Sequence, residues 1–421
     1  MSEPALRTSG TAVMQSHPTI WHNRRFLLLL CSFSISLFGN TFHSIALNLW
    51  VLQTTGSAKM MAVITVANLL LSSLLGSIAG TLADRWNRKS IMLVADLVSC
   101  CILLALAYVI SLQQVPFLLI VVMTGLVTVC SLFQSPAYQS SIVNVVGKEH
   151  VQKAVGILNL SENICRTVGF SAGGAFVYAY GAPTAILFDG VTFLISFLLV
   201  LCVGAIPMPV RVNAPPREER KFIQDLADGI RYVWKFPFAR SVVVMLPVLT
   251  MLFMPSLMLM QVMAVKNWNA SPFQFGLMEA CIPLGYMIGS GMILLLGDRL
   301  KRRGLIIMLG LFLMGPLYIL LSLVDSATPA IPIILLIGLV FSLCTLFINT
   351  ILRLEVTEEL QGRVFGVLGS IMSFAPSVGL TAFSFLSDSF TPALVMAVIG
   401  SLLLLFAITS WHGFKVIRDY R

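Results

Sequence analysis

Residues 80–89 of the chain read GTLADRWNRK, and residues 297–303 read GDRLKRR. Both segments place an Asp-Arg pair directly after a long apolar stretch and follow it with further basic residues. The two aspartates, Asp84 and Asp298, lie half the chain length apart. A short motif that recurs at such a distance is typical of a duplicated unit. The sequence therefore predicts a protein built from two similar halves.

The composition predicts a membrane protein. Of the 421 residues, 57% are hydrophobic and 11% are charged, and the mean hydropathy is +0.92. A soluble domain is about 45–50% apolar and about 25% charged, so the deficit of charge excludes a soluble enzyme, a disordered chain and a nucleic-acid-binding module. All eight cysteines fall in apolar stretches, and no zinc-binding or P-loop motif is present. We therefore expect no metal site and no cofactor.

A membrane helix needs about 20 mostly apolar residues. The chain contains twelve stretches of this kind, which predict an all-α membrane protein with twelve transmembrane helices. Their expected bounds are 26–52, 58–82, 90–111, 115–135, 155–178, 184–207, 241–265, 273–296, 304–323, 330–352, 364–387 and 392–411.

Basic residues set the orientation of membrane helices, because Lys and Arg accumulate in cytoplasmic connections. Nearly all of the 27 Lys and Arg residues fall on the side of the N-terminus. Only Lys59 and Lys266 lie on the other side, and Arg166 lies within a span. We expect a multi-pass protein of the plasma membrane with both termini in the cytoplasm. The net charge of +9 then reflects this topology, and we expect no nucleic-acid partner.

The long connection between spans six and seven divides the chain. Its first part is rich in proline and charge, and an apolar stripe beyond it predicts a short helix on the inner membrane surface. A regulatory segment is the alternative. The stripe consists of Phe222, Leu226, Ile230 and Val233. The expected organisation is a cytoplasmic tail, a six-helix bundle, a linker with this amphipathic helix, a second six-helix bundle and a second tail, at 1–25, 26–207, 208–240, 241–411 and 412–421.

The loop after the second span resembles the signature of the Major Facilitator Superfamily, G-x-L-a-D-r-x-G-r-K/R. Asn87 stands in place of the second glycine and, like glycine, tolerates a positive φ. The alternative is ordinary cytoplasmic charge at a tight turn. The residues that carry the resemblance in the two halves are Gly80, Asp84, Arg85, Arg88, Lys89, Asp298 and Arg299.

The resemblance implies the superfamily fold, in which twelve transmembrane helices form two six-helix repeats. Six is an even number, so the two repeats share one orientation and are related by an axis along the membrane normal. The resemblance also implies alternating access, with the halves rocking around a site near the bilayer midplane. The signature loop would then help to hold one conformation.

The fifth span resembles, more weakly, the glycine motif of superfamily antiporters. Cys165 and Phe170 replace a glycine and a proline of that motif. The pattern as a whole resembles the drug:proton antiporter branch, which includes bacterial macrolide-efflux proteins and the enterobactin exporter. Generic packing of small residues is the alternative. The residues of this motif are Gly156, Arg166, Gly169, Gly173 and Gly174.

Charges inside the bilayer cost about 2.5–3.5 kcal/mol each on insertion scales, so each needs a physical reason. Glu162 and Arg166 lie four residues apart and predict a self-neutralising structural pair. Asp96 lies near the inner end of its span, and we expect it to support the signature loop.

Asp189 and Glu279 have no basic residue within one helical turn in the sequence. Desolvation penalises the charged form of a carboxyl group, and this allows a membrane-embedded acid to exchange protons. These two acids are therefore the candidates for proton coupling. A hydrogen bond to a neighbouring helix is the alternative.

In the superfamily, spans 1, 4, 7 and 10 line the central cavity, so the resemblance favours the polar residues and methionines of these spans as substrate contacts. Methionine side chains repack easily around varied apolar molecules, although packing in the helix core is the alternative. His43 is either a proton carrier or a hydrogen-bonded interface residue. The cavity candidates are Asn40, His43, Asn48, Met254, Met258, Gln261, Thr345 and Asn349.

These features predict a secondary active transporter that exports amphiphilic small molecules, such as drugs, macrolides or siderophore-like compounds, by proton antiport. We expect a monomer in the lipid bilayer, with a small-molecule substrate and protons as its partners and no catalytic residues. The alternatives are an importer or a lipid or metabolite carrier of the same fold, and a non-transporting membrane protein. A membrane enzyme would need clustered histidines, and the five histidines are scattered.

Overall fold

A computed structural model describes residues 20–83, 86–112, 115–204, 231, 233–296, 302–356 and 358–420. Within these residues the chain forms twelve long helices and no strand, which confirms the expected all-α fold. In chain order the helices are α1 Arg24–Thr55, α2 Ala58–Ala83, α3 Arg88–Ser111, α4 Phe117–Val146, α5 Val151–Tyr180, α6 Ala182–Cys202, α7 Pro237–Lys266, α8 Pro272–Leu296, α9 Arg303–Ser322, α10 Ala327–Glu355, α11 Glu358–Ser389 and α12 Pro392–Gly413.

Eleven helices in the described part of the chain are long and apolar enough to cross a membrane. The long helix outside this set is α5, whose polar and charged residues, including Glu162 and Arg166, lower its hydropathy. Large apolar side chains cover the outside of the bundle, and Leu294 and Leu295 are 86% and 85% exposed. Such a surface is stable against lipid tails, which are as apolar as leucine.

Three helix ends differ from the predicted bounds by more than four residues. α4 continues through Pro136 to Val146, because Ala137 and Tyr138 are buried against neighbouring helices. α6 ends at Cys202, ahead of the predicted 207, and Gly204 follows it with a φ of 78° that favours glycine. α11 begins at Glu358, one turn or more before the predicted 364.

Helix packing falls into two groups. Within the first six helices, α1 packs between α5 and α6, and α4 packs between α2 and α3. Within the last six, α8 packs on α10, α9 on α12, and α7 on α11. The two groups meet mainly where α5 contacts α8 and where α2 contacts α11. These two pairs therefore form the seam between the halves.

The C-terminal residues, expected as a tail from 412, pack against the second half. α12 extends to Gly413, and a short helix, α13 Lys415–Arg418, follows it. Ile417 is fully buried, and the backbone N–H of Gly304 donates to the carbonyl oxygen of Tyr420 at 3.2 Å. This segment is therefore anchored to the start of α9.

Part of the predicted linker lies outside the described residues. Residues 205–230 and 232 are among those not described, so the predicted amphipathic helix at Phe222, Leu226 and Ile230 stays a prediction. Residues 233–235 are helical, and Val233 is buried. α7 begins at Pro237, slightly before the predicted 241.

Candidate functional site

A cavity of about 450 Å³ lies among α1, α4 and α5. We refer to it as the N-half cavity. It is formed by the first half of α1, the last half of α4 and the first half of α5, so it lies towards the end of the bundle where α1 begins. Most lining residues are polar although they belong to membrane-spanning helices. They are Phe33, Ser36, Leu37, Asn40, Ser131, Gln134, Ser135, Tyr138, Gln139, Ile142, Val155, Leu158, Asn159, Glu162 and Arg166.

Among the predicted substrate contacts, Asn40 lines the N-half cavity. Span 4 is expected to line the cavity, but none of its residues is among the candidates, and the predicted end of this span at 135 leaves out Tyr138 and Gln139. The available signal was their spacing: Gln134 and Tyr138, and likewise Ser135 and Gln139, lie four residues apart, as neighbours on one helix face do.

The Glu162–Arg166 pair forms as predicted. The Nη2 and Nε atoms of Arg166 lie 3.0 and 3.2 Å from Oε1 of Glu162. The side chains are 38% exposed for Glu162 and 44% for Arg166. The pair therefore stands in the wall of the N-half cavity rather than in the protein core, and a water-filled cavity lowers the cost of charge at this depth.

Asp96 belongs to a buried hydrogen-bond network of the first half. Its carboxylate is fully buried and accepts hydrogen bonds from Gln134 and from Ser196, the latter at 2.9 Å. Ser196 also bonds with Ser32 at 2.8 Å and Tyr138 at 3.1 Å. This buried network connects α1, α3, α4 and α6, so Asp96 joins helices of the first half, and its expected support of the signature loop stays a prediction because Asp84 and Arg85 lie outside the described residues.

Asp189, which has no cation nearby in sequence, lies next to His43 of α1. The Nδ1 atom of His43 is 3.9 Å from Oδ2 of Asp189, and neither atom has a hydrogen-bond partner among the described residues. The other carboxylate oxygen accepts a 3.2 Å bond from Thr192. An acid and an imidazole that face each other at this distance can share a proton after a small movement. The structure thus brings together two residues that the sequence analysis treated separately.

Glu279 of α8 pairs with Gln261 of α7. The Nε2 atom of Gln261 donates a 2.9 Å hydrogen bond to Oε1 of Glu279. Glu279 is half-buried, and Gln261 is 9% exposed. This predicted cavity residue therefore contacts the predicted proton carrier, and the pair belongs to the second half of the protein.

The remaining cavity candidates lie away from the N-half cavity. Met258 is only 5% exposed and packs in the core, whereas Met254 is 36% exposed. Thr345 and Asn349 bond within α10, where Nδ2 of Asn349 donates to the carbonyl oxygen of Thr345 at 2.8 Å. Asn48 is half-buried in α1. The methionines of α7 thus serve mostly as packing.

The glycines of α5 separate into three environments. Gly169 and Gly173 face α1, where an added Cβ would approach Thr41 and Phe42. Gly174 faces α8, and its added Cβ would lie 2.7 Å from the Cα of Gly276. A Cβ added to Gly156 would meet no atom of the described residues within 4 Å. Three of the four motif glycines therefore allow close packing of helices.

Among the described residues, close contacts across the seam lie in the middle of the bundle, where Ser73 donates to the carbonyl oxygen of Ser373 at 3.1 Å, and at the end that the charge pattern predicts to be the outer one. Here Ser57 donates to Oδ2 of Asp388 at 3.0 Å, joining the start of α2 to the end of α11. Gly174 and Gly276 lie towards the same end. Towards the other end, a Cβ added to Gly156 or to Gly291 of α8 would meet no atom of the described residues within 4 Å. The N-half cavity lies towards the same end as these two glycines.

The signature loop is partly described. Asp84, Arg85, Asp298 and Arg299 lie outside the described residues, as do the surroundings of Gly80. Asn87 caps α3 by accepting from the backbone N–H of Lys89 at 3.0 Å. Lys89 Nζ donates to the carbonyl oxygen of Leu201 at 2.9 Å, and Arg88 donates to that of Ser140 at 3.4 Å. The basic residues of the loop therefore bind the ends of α6 and α4.

The chain is similar to known proteins over most of its length. The family model described as Major Facilitator Superfamily matches residues 29–380 and 250–417. Macrolide efflux protein A of Streptococcus pyogenes is 22% identical over 86% of this chain and 89% of its own length. The multidrug efflux pump Tap of Mycolicibacterium fortuitum is 23% identical over 86% of this chain and 89% of its own length.

The similarity extends to solved structures. A crystal structure of the nucleoside transporter NupG superposes with a TM-score of 0.66 and covers 95% of this chain and 100% of its own. The two chains are 14% identical, so this likeness concerns the fold alone.

Proposed function

The chain belongs to the Major Facilitator Superfamily, and we propose that it is a secondary active exporter of amphiphilic small molecules driven by proton antiport. The observation that supports this proposal best is the asymmetry of the seam. The halves meet closely at the predicted outer end, while the N-half cavity lies at the opposite end. A cavity exposed alternately to the two sides is the central requirement of alternating access.

The relatives and the cavity support export as the direction of transport. Proteins named for macrolide and multidrug efflux match nearly the full chain. The N-half cavity lies at the predicted cytoplasmic end, where an exporter takes up its cargo. We infer that the protein resides in the plasma membrane with both termini in the cytoplasm and works as a monomer.

Two acids are proposed as proton carriers. Glu279 contacts one neutral amide, that of Gln261, and no cation among the described residues. Asp189 faces His43 across 3.9 Å. An external proton bound at either site would favour the opposite opening of the halves, and its release to the cytoplasm would reset the cycle. The signature residues Asp84 and Asp298 would stabilise one of the two conformations through charge-assisted hydrogen bonds.

Cargo accumulation tests this function. Cells that lack or overexpress the protein are loaded with a panel of antibiotics and siderophores, with and without an uncoupler that collapses the proton gradient. The proposal expects lower accumulation of some compounds on overexpression and loss of this difference with the uncoupler. Higher accumulation on overexpression would indicate an importer, and an effect that resists the uncoupler would reject proton antiport.

A further inference from the structure

Three amide side chains in the wall of the N-half cavity have no partner in the part of the chain that the structure describes. Asn40, Gln139 and Asn159 come from α1, α4 and α5 respectively, and none of their side chains forms a hydrogen bond with a described residue. Asn40 is half-buried, and the other two are exposed at the cavity. Each amide offers both a donor and an acceptor. Unpaired polar groups inside a membrane protein raise its free energy unless they form hydrogen bonds with water or a ligand.

The charge of the same wall is balanced. Glu162 and Arg166 are the charged residues among those that line the cavity, and they neutralise each other at 3.0 Å. Both hydrogen bonds from Arg166 end on Oε1 of Glu162, so Oε2 accepts none from the described residues. The wall thus presents hydrogen-bonding groups without a net charge.

We propose that this wall is a subsite for an uncharged, oxygen-rich part of the cargo, such as a polyol or lactone. Because Glu162 and Arg166 neutralise each other, the subsite does not select ligands by their charge. The inference rests on the proposed transport function, since it names the cargo of that cavity. The hydroxyl and carbonyl oxygens of such a molecule match the unpartnered amides of Asn40, Gln139 and Asn159. A cation or an anion gains little binding energy here, because the charges of Glu162 and Arg166 are already paired with each other.

The physical basis is differential binding. A ligand that satisfies the free amides gains hydrogen bonds, and a ligand without oxygens leaves them unpaired after water is displaced. Removal of one member of the ion pair leaves a single charge at the cavity wall. That charge attracts ions of opposite sign and repels ions of the same sign.

The experiment measures equilibrium binding to the purified full chain in detergent. The uncharged probe is erythronolide B, a polyhydroxylated lactone. The charged probes are tetraphenylphosphonium and tetraphenylborate, which have nearly the same size and opposite charge. The variants are Arg166→Gln, Glu162→Gln, the double variant of both, and Gln139→Ala combined with Asn159→Ala.

We expect Arg166→Gln to bind tetraphenylphosphonium about tenfold more tightly and Glu162→Gln to bind tetraphenylborate about tenfold more tightly. The double variant should regain the charge preference of the wild type, which a purely structural pair would not predict. Loss of the two amides should weaken the binding of erythronolide B about tenfold and leave the binding of both ions unchanged. Retained melting temperatures identify the folded variants, and Glu162→Asp with Arg166→Lys provides a second paired control.

Two results would overturn the inference. One is that Arg166→Gln binds tetraphenylphosphonium, and Glu162→Gln binds tetraphenylborate, no more tightly than the wild type does. The other is that the amide variant binds erythronolide B as the wild type does. Neither measurement depends on transport, so these failures reject the subsite alone. Absent efflux with the expected binding pattern would instead reject the exporter proposal.

Discussion

Gly174 of α5 and Gly276 of α8 lie face to face, so close that a Cβ added to Gly174 would come within 2.7 Å of the Cα of Gly276. The same Cβ would lie 2.5 Å from the carbonyl oxygen of Pro272. Backbone atoms cannot yield as a flexible side chain can. The two halves of the protein therefore meet at this point through the backbone, and only glycine permits the contact.

Gly174→Ala should separate the outer parts of α5 and α8, because overpacking of this kind costs about 1–3 kcal/mol. The conformation described here should lose population, and efflux should fall. Gly156→Ala is the matched control, since it makes the same change in the same helix where nothing lies within 4 Å. The measurement is efflux at equal expression, and equal activities for the two variants would contradict the role of this contact.

Ser57→Cys combined with Asp388→Cys should lock the outer end. The Oγ atom of Ser57, just before α2, lies 3.0 Å from Oδ2 of Asp388 in α11, which brings the two positions close enough to test for a disulfide. Oxidation should block export, and reduction should restore it. Ser57→Cys alone controls for oxidation of the eight native cysteines. Full export by the cross-linked protein would argue against rocking halves.

Glu279→Gln should abolish export driven by a pH gradient while cargo binding persists. The amide has the shape of the protonated acid and no proton to exchange, and it can still bond with Gln261. The measurement is efflux from vesicles against an imposed gradient, together with ligand binding in detergent. Asp189→Asn is the parallel test of the His43 pair.

The comparison of these two variants identifies the carrier. Gradient-driven export that survives Glu279→Gln and is lost in Asp189→Asn would move the assignment to α6. If neither substitution has an effect, proton coupling at these carboxylates is wrong.

Asp96→Ala should destabilise the first half. It leaves the buried amide donor of Gln134 without its acceptor, at about 1–3 kcal/mol for an unpaired group, and removes one of the hydrogen bonds of Ser196. Asp96→Asn retains one carbonyl acceptor and should cost less. Thermal unfolding in detergent measures both, and equal melting temperatures for the alanine variant and the wild type would reject the structural role of the network.

The C-terminal end of α4 is predicted wrongly from the sequence. The prediction places it at 135, where polar residues and Pro136 follow. In the structure the helix continues to Val146, because Tyr138 bonds with Ser196 and Ser32 in the core and Gln139 reaches the cavity. Hydropathy alone does not separate a helix end from a helix whose polar face meets polar partners.

The class of protein, the number and order of the long helices, and the family signature can all be predicted from the sequence. These depend on local properties, since about twenty apolar residues form a membrane helix whatever surrounds them. The Glu162–Arg166 pair can also be predicted, because its partners lie one helical turn apart. That His43 faces Asp189 and that Gln261 binds Glu279 is visible only in the folded protein. Such contacts depend on how each helix is rotated against its neighbours, and that rotation follows from close packing across the whole bundle, which no single segment encodes.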